Sequence, residues 1–114
     1  MRNRVQLIGN LGRDPELKEF EGGRQRLRFS IATNERFTFG QGQIKDDTQW
    51  HQVVAWGKLA QEAAQALKKG ASVAIEGRLV HRNYEDKDGQ KRYVTEVVMS
   101  RFELVDLQRT AAAA

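Results

Sequence analysis

The 114-residue chain contains no cysteine. That excludes a disulfide framework, a thiolate zinc site and a cysteine nucleophile, and it leaves the redox compartment unspecified. Histidine is scarce too: His51 and His81 alone make a poor metal site. No apolar stretch approaches the roughly 20 residues of a membrane-crossing helix. The opening residues, Met1-Arg2-Asn3-Arg4-Val5-Gln6-Leu7-Ile8, lack the long apolar segment of a secretory signal. A cytoplasmic protein without a membrane partner is expected. Gly40-Gln41-Gly42 has neither the third glycine nor the following helix of a phosphate-binding loop. No base, nucleophile and metal set stand together in the sequence, so a binding role without cofactor or catalysis is expected.

What is present is basic. Nineteen Lys and Arg against 15 Asp and Glu give a net charge of +4. A basic balance suits a polyanionic partner, although where the cations lie matters more than their sum. The chain is 39% hydrophobic and 30% charged, as expected for one globular domain with a modest core. Asp46-Asp47 and Asp86/Asp88 read as solvated carboxylates in polar turns. The Asp86-Lys87-Asp88-Gly89 stretch lacks the later ligands of a calcium loop.

The patterning is that of strands. Val5 and Leu7 alternate into Ile8-Gly9-Asn10-Leu11-Gly12, a first strand that bends at its glycines. Asp14-Pro15-Glu16 is a turn, Leu17 to Phe20 a short extended piece, and Glu21-Gly22-Gly23 another turn. From Gln25 to Asn34, Leu27, Phe29 and Ile31 point one way, with Arg26, Arg28, Ser30 and Ala32 opposite, a half-buried strand with a basic start. Asn34 to Asp47 is polar and glycine-bearing and reads as a mobile loop carrying Phe37 and Phe39. Leu59, Ala63, Ala66 and Leu67 predict a helix over Lys58–Lys69 that stops at Gly70, with Lys68 and Lys69 in its last turn. Ser72 to Tyr84 is a strand with Val73, Ile75, Gly77 and Leu79 in the core and Arg78, Arg82 and Tyr84 together on the other face. Asp88-Gly89 marks a hairpin turn, and Lys91 to Leu107 is the last strand. Five strands with one helix between the third and fourth match an all-β OB-fold, a five-stranded Greek-key barrel.

The most informative stretch is Thr48-Gln49-Trp50-His51-Gln52-Val53-Val54-Ala55-Trp56-Gly57-Lys58-Leu59-Ala60. Alternation puts Trp50, Gln52, Val54 and Trp56 on one side and His51, Val53 and Ala55 on the other. The two indoles stand roughly 20 Å apart on one strand. Rings so placed pack a core, or offer stacking platforms beside cations, and pattern alone leaves both open.

That stretch, with Val5 to Glu16, Ile31-Ala32-Thr33-Asn34, Lys69-Gly70, Ile75-Glu76-Gly77-Arg78-Leu79 and Tyr93 to Val98, resembles the bacterial-type single-stranded DNA-binding proteins in order and spacing from about Asn3 to Leu107. The resemblance implies an OB-fold domain over residues 1–107, with 108–114 a disordered tail or an expression remnant. It implies sequence-independent binding of single-stranded DNA in replication, recombination and repair. Stacking would fall on Phe37, Trp50, Trp56 and Tyr84, and basic contacts on Lys58, Lys68, Lys69, Arg78 and Arg82. The DNA would follow one side of the sheet. Asn3, Leu7 and His51 would meet other subunits of a homotetramer, a dimer being the alternative. Family members usually continue into a flexible linker and an acidic tip that recruits replication and repair proteins. This chain is expected to lack both.

Overall fold

The computed structural model describes residues 2–105. Its organising element is a long antiparallel pair. Strand β3 (Gln25–Phe39) buries Leu27, Phe29 and Ile31, as the alternation predicts. It pairs without a register shift with β4 (Gln43–Trp56), from Arg26 opposite Trp56 to Phe39 opposite Gln43. Strand β1 (Val5–Leu11) joins the end of β3 through Asn10–Ala32 and Leu11–Ile31. It runs antiparallel to β5 (Ser72–Glu85), which forms a hairpin with β6 (Lys91–Leu104). Parallel pairing of Val53 with Val97 and Val54 with Val98 then closes β6 onto β4. The circuit β1–β5–β6–β4–β3–β1 is a five-stranded barrel. The short, fully exposed β2 (Glu16–Glu19) is a sixth strand added to the outer edge of β3.

The core is the set of side chains these strands turn inward. Leu27, Ile31, Val53 and Val73 are wholly enclosed, with Leu11, Phe29, Ala55, Ile75, Val97 and Met99 around them. Helix α1 (Gly57–Ala66) covers one end with Ala60 and Ala63, and Leu67 follows them in. The helix is shorter than the sequence predicts. Leu67 is already extended, at φ −99° and ψ 141°, which lets its side chain drop into the core. Lys68 and Lys69 therefore lie in a turn beyond the helix rather than in its last turn. Gly70, also in that turn, donates its N–H to the Leu11 carbonyl, tying the turn to β1.

Two more expectations are corrected here. Residues 34–47 form a two-stranded arm, not a mobile loop. Arg36 meets Asp46 at 2.9 Å and Thr48 donates to Asn34 at 2.6 Å across it. Gly40, Gln41 and Gly42 reverse the chain with φ of 37°, 54° and 77°. The arm shows no burial pattern because water reaches both of its faces, so the alternation test has nothing to detect. Leu79 is 38% exposed and stands beyond the core's edge. A bulge between Glu76 and Gly77 precedes it, and the Asn3 side chain brackets its backbone with two 2.8 Å hydrogen bonds. The last strand ends at Leu104; Leu107 and the tail fall outside the described residues.

At the bulge, Gly77 is buried where a Cβ would collide with the Val98 carbonyl. Gly77→Ala is therefore expected to destabilise the fold by about 1–3 kcal/mol, the usual cost of overpacking. Urea unfolding checks this, and an unchanged midpoint would show that the strands separate freely there.

Candidate nucleic-acid interface

Because opposite residues on antiparallel strands share a face, the β3–β4 register settles what lies outside the barrel. Arg26 and Arg28 of β3 stand beside Trp56 and Val54 of β4, and Ala32 stands beside Trp50. Across the parallel seam, Val98 of β6 continues this face, followed by Arg78 of β5. By parity, Arg82 and Tyr84 belong to the same outer surface. The expected site residues Trp50, Trp56, Arg78, Arg82 and Tyr84 are thus on one curved surface. Phe37 is not. It has the parity of Ile31, so the arm turns it to the opposite side from Trp50, and it is 46% exposed. Phe37, expected in a loop, thus stands on the arm and not on the face that carries Trp50.

Trp50 is 58% exposed and leans over Gly12. It borders a cleft of about 610 Å³ lined also by Arg13, Asp14, Glu16, Arg28, Ser30 and Gln52. Gly12 is needed there for space: a Cβ would lie 2.6 Å from Cζ3 of the indole. The Asp14 carboxylate accepts the backbone N–H of Lys69 at 2.7 Å, which brings the turn holding Lys68 and Lys69 to the cleft's rim. Lys58, exposed, opens the helix after Trp56. Arg13, Arg28 and Gly12 were missed by sequence reasoning. The polar parity of Arg28 on β3 was visible, but its sharing of a cleft with Trp50 depends on which strands lie alongside.

Trp56 is less open than Trp50. The Arg24 guanidinium carbon lies 4.2 Å from the centroid of its ring, and Phe20 packs beside it at 6.1 Å between centroids. Tyr84, 51% exposed, sits near the β5–β6 tip. That tip is held by Asp86, whose carboxylate accepts from Arg92 Nε at 2.8 Å and from the backbone N–H groups of Asp88 and Gln90. The Arg92 hydrogen bond, then that of Gln90, holds the Asp86 carboxyl below the usual carboxylate range. Its contribution to the tip is complete above that range and is lost as pH falls through the lowered value. The expectation of a merely solvated Asp86 is corrected accordingly.

One acid lies within the basic surface. Glu96 is only 6% exposed and receives Arg82 Nε at 2.8 Å. Burial first, then repulsion by Arg28 and Arg82, lowers the Arg26 guanidinium below its ordinary value, and Glu96 and Glu16 partly offset this. Arg26 is therefore electrostatically coupled to four charged side chains, Arg28, Arg82, Glu96 and Glu16. The two histidines also have partners: His51 is 2.9 Å from the Thr33 hydroxyl and His81 is 2.8 Å from that of Thr95. Among the described residues, no acid or histidine cluster could hold a metal, and no helix is long and apolar enough to cross a membrane.

A closed five-stranded barrel capped by a helix, with rings and cations on its outer sheet, defines an OB-fold binding module. Residues 2–105 match the model of the Single-strand binding protein family, and the chain belongs to that family. It is 46% identical over 104 residues to Single-stranded DNA-binding protein 1 of Chlorobaculum tepidum, covering 90% of this chain and 64% of that one. Among solved structures, it is similar to a Plasmodium falciparum SSB in complex with ssDNA, with a TM-score of 0.84 and 29% identity, over 91% of this chain and 95% of that one. It is also similar to a deletion mutant of the single-stranded DNA binding protein from Thermus aquaticus, with a TM-score of 0.81 and 31% identity, over 91% of this chain and 50% of that one. The chain thus spans 64% of the length of the curated relative.

The contact between Gly12 and Trp50 can be tested directly. Gly12→Val in a Trp56→Phe background is expected to push the indole off its seat and change its acrylamide quenching. Stability should stay within about 0.5 kcal/mol, the range of a surface substitution. Identical quenching would show that the ring does not rest on Gly12.

Proposed function

We propose that this chain binds single-stranded DNA without sequence readout and protects it during replication, recombination and repair. The observation that carries this is Trp50: an indole more than half exposed, seated over a cleft beside Arg13 and Arg28. An aromatic face in water at the rim of a polar cleft contributes nothing to the core. It is available to a base, and every base has a π face. Duplex DNA keeps those faces stacked and should bind far less well. Arg78, Arg82 and Tyr84 extend the path on β5, and Lys58, Lys68 and Lys69 supply cations at its margins. Phe37 serves the strand where it crosses the arm to the opposite side. Stacking contributes about 1–3 kcal/mol per base, and each phosphate neutralised adds about 0.7 to the log–log salt slope. The action is binding rather than catalysis, and the setting is the cytoplasm, at the nucleoid.

The chain works as a homo-oligomer, by this reading a tetramer. The support is the free edge of β1. From Val5 to Gly9, β1 is bonded only to β5, because its pairing with β3 begins at Asn10. An open ladder of N–H and C=O groups is a template for another strand. Of the expected contact residues, the Asn3 side chain is engaged by Leu79, Leu7 packs against the core, and His51 is half-buried beside Thr33. The β1 backbone therefore carries more of the proposed contact than these side chains.

Titration with poly-dT at low salt is expected to quench tryptophan fluorescence. Trp50→Ala should weaken binding by about 1–3 kcal/mol with the fold intact. A folded protein whose emission ignores poly-dT would contradict the reading. Light scattering should give a multiple of the 13.0 kDa chain mass, and a monomer would remove the assembly.

A further inference from the structure

The outer face continues past Trp56. Lys18, Arg26 and Trp56 are cross-strand neighbours in a row over β2, β3 and β4. Adjacent strands lie about 4.8 Å apart, so this row sets two cations beside the indole. Phe20 completes the group, its ring tilted 31° to that of Trp56. Lys18 Nζ lies 5.0 Å from the Phe20 centroid, and the Arg26 guanidinium carbon lies 5.1 Å from it. The turn fixes this arrangement, since Phe20 donates its N–H to the Arg24 carbonyl at 2.7 Å and accepts from Gly23 at 3.1 Å. Among the described residues, Lys18, Arg24 and Arg26 make no ion pair. The Arg26 Nε is buried and donates to nothing. Glu16 and Glu96 act on Arg26 only through their charge.

A buried N–H without an acceptor is costly, and three cations resting on two rings are a poor way to satisfy their charges. A phosphate would pair those charges. Two rings sandwiching a base must stand about 7 Å apart, twice a carbon–carbon contact. The 6.1 Å tilted pair is too close for that. The free surface is the Trp56 face on which the Arg24 guanidinium now rests.

We propose that Lys18, Phe20, Arg24 and Arg26 form a further nucleotide subsite that carries the single strand beyond Trp56 onto β2. A base replaces the Arg24 guanidinium on the Trp56 indole and packs against the edge of Phe20. The adjoining phosphate meets the Arg26 guanidinium through its outer amino groups and sits by the Lys18 ammonium. Arg24, once displaced, is free to meet the next phosphate. This subsite rests on the single-strand reading above.

The test is a set of poly-dT titrations across salt concentration on the wild-type chain, Trp50→Ala, Phe20→Ala and the double variant Lys18→Gln/Arg26→Gln. Circular dichroism checks the fold of each. Phe20→Ala is expected to bind about two- to tenfold more weakly, the range for one edge-on aromatic contact, because the Trp56 face remains. The double variant should lose about 0.7 of salt slope for each phosphate no longer neutralised. If the double variant does not fold, the exposed Lys18→Gln alone carries the slope measurement. Wild-type affinity and slope in the Phe20 and Lys18 variants, with Trp50→Ala weakened, would overturn the subsite and leave the main reading standing. No binding by wild type would overturn both.

Discussion

The unbroken register between β3 and β4 is the constraint on which the rest depends. It pairs every residue from Arg26–Trp56 to Phe39–Gln43. With Leu27, Phe29 and Ile31 committed to the core, the neighbours Arg26 and Arg28 must lie outside, and β4 must present Trp50 and Trp56 beside them. A slip of one residue would exchange the two faces, burying arginines and exposing the core. The same hydrophobic burial that holds the barrel closed therefore aims the rings and the cations. The parallel contact of Val53 and Val54 with Val97 and Val98 then adds β6 and β5 to that surface.

The surface is not a uniform positive field. Glu96, nearly enclosed and bonded to Arg82, also acts through its charge on Arg26. An acid there keeps the cations from repelling one another in the free protein. It also disfavours a phosphate at Arg82, whose charge it already meets. Phosphates are better placed toward the margins, near Arg13, Lys18, Lys58 and Lys69, with bases turned inward to the rings. That division suits a ligand whose bases are exposed and whose charge runs along one edge, as in a single strand.

Most of the barrel was legible because burial leaves an alternating trace. The β3 core residues, the Asp88–Gly89 hairpin turn and the passage of the Trp56 strand directly into a helix could all be read from the residues. The arm at 34–47 could not, since both of its faces are wet and its pairing rests on polar contacts such as Arg36–Asp46 and Asn34–Thr48. Leu79 fits the inward alternation, yet the core ends before it. For the site, Trp50 and Tyr84 were legible as rings of known strand parity, but for Trp50 pattern left core and surface both open. The Gly12 seat, the Arg28 neighbour and the Phe20–Arg24 group were not, because each depends on which strand lies alongside. Phe37 was found as a ring but placed in a loop, because the arm that carries it leaves no burial trace.

The central claim is that single strands lie along the outer face of β3 and β4. Ultraviolet crosslinking to an oligomer carrying 5-iododeoxyuridine, followed by peptide mapping, tests it most directly. Crosslinks should fall on Trp50 and on its neighbours along that face. Crosslinks confined to β1 or to the helix, with Trp50 untouched in a saturated complex, would contradict it.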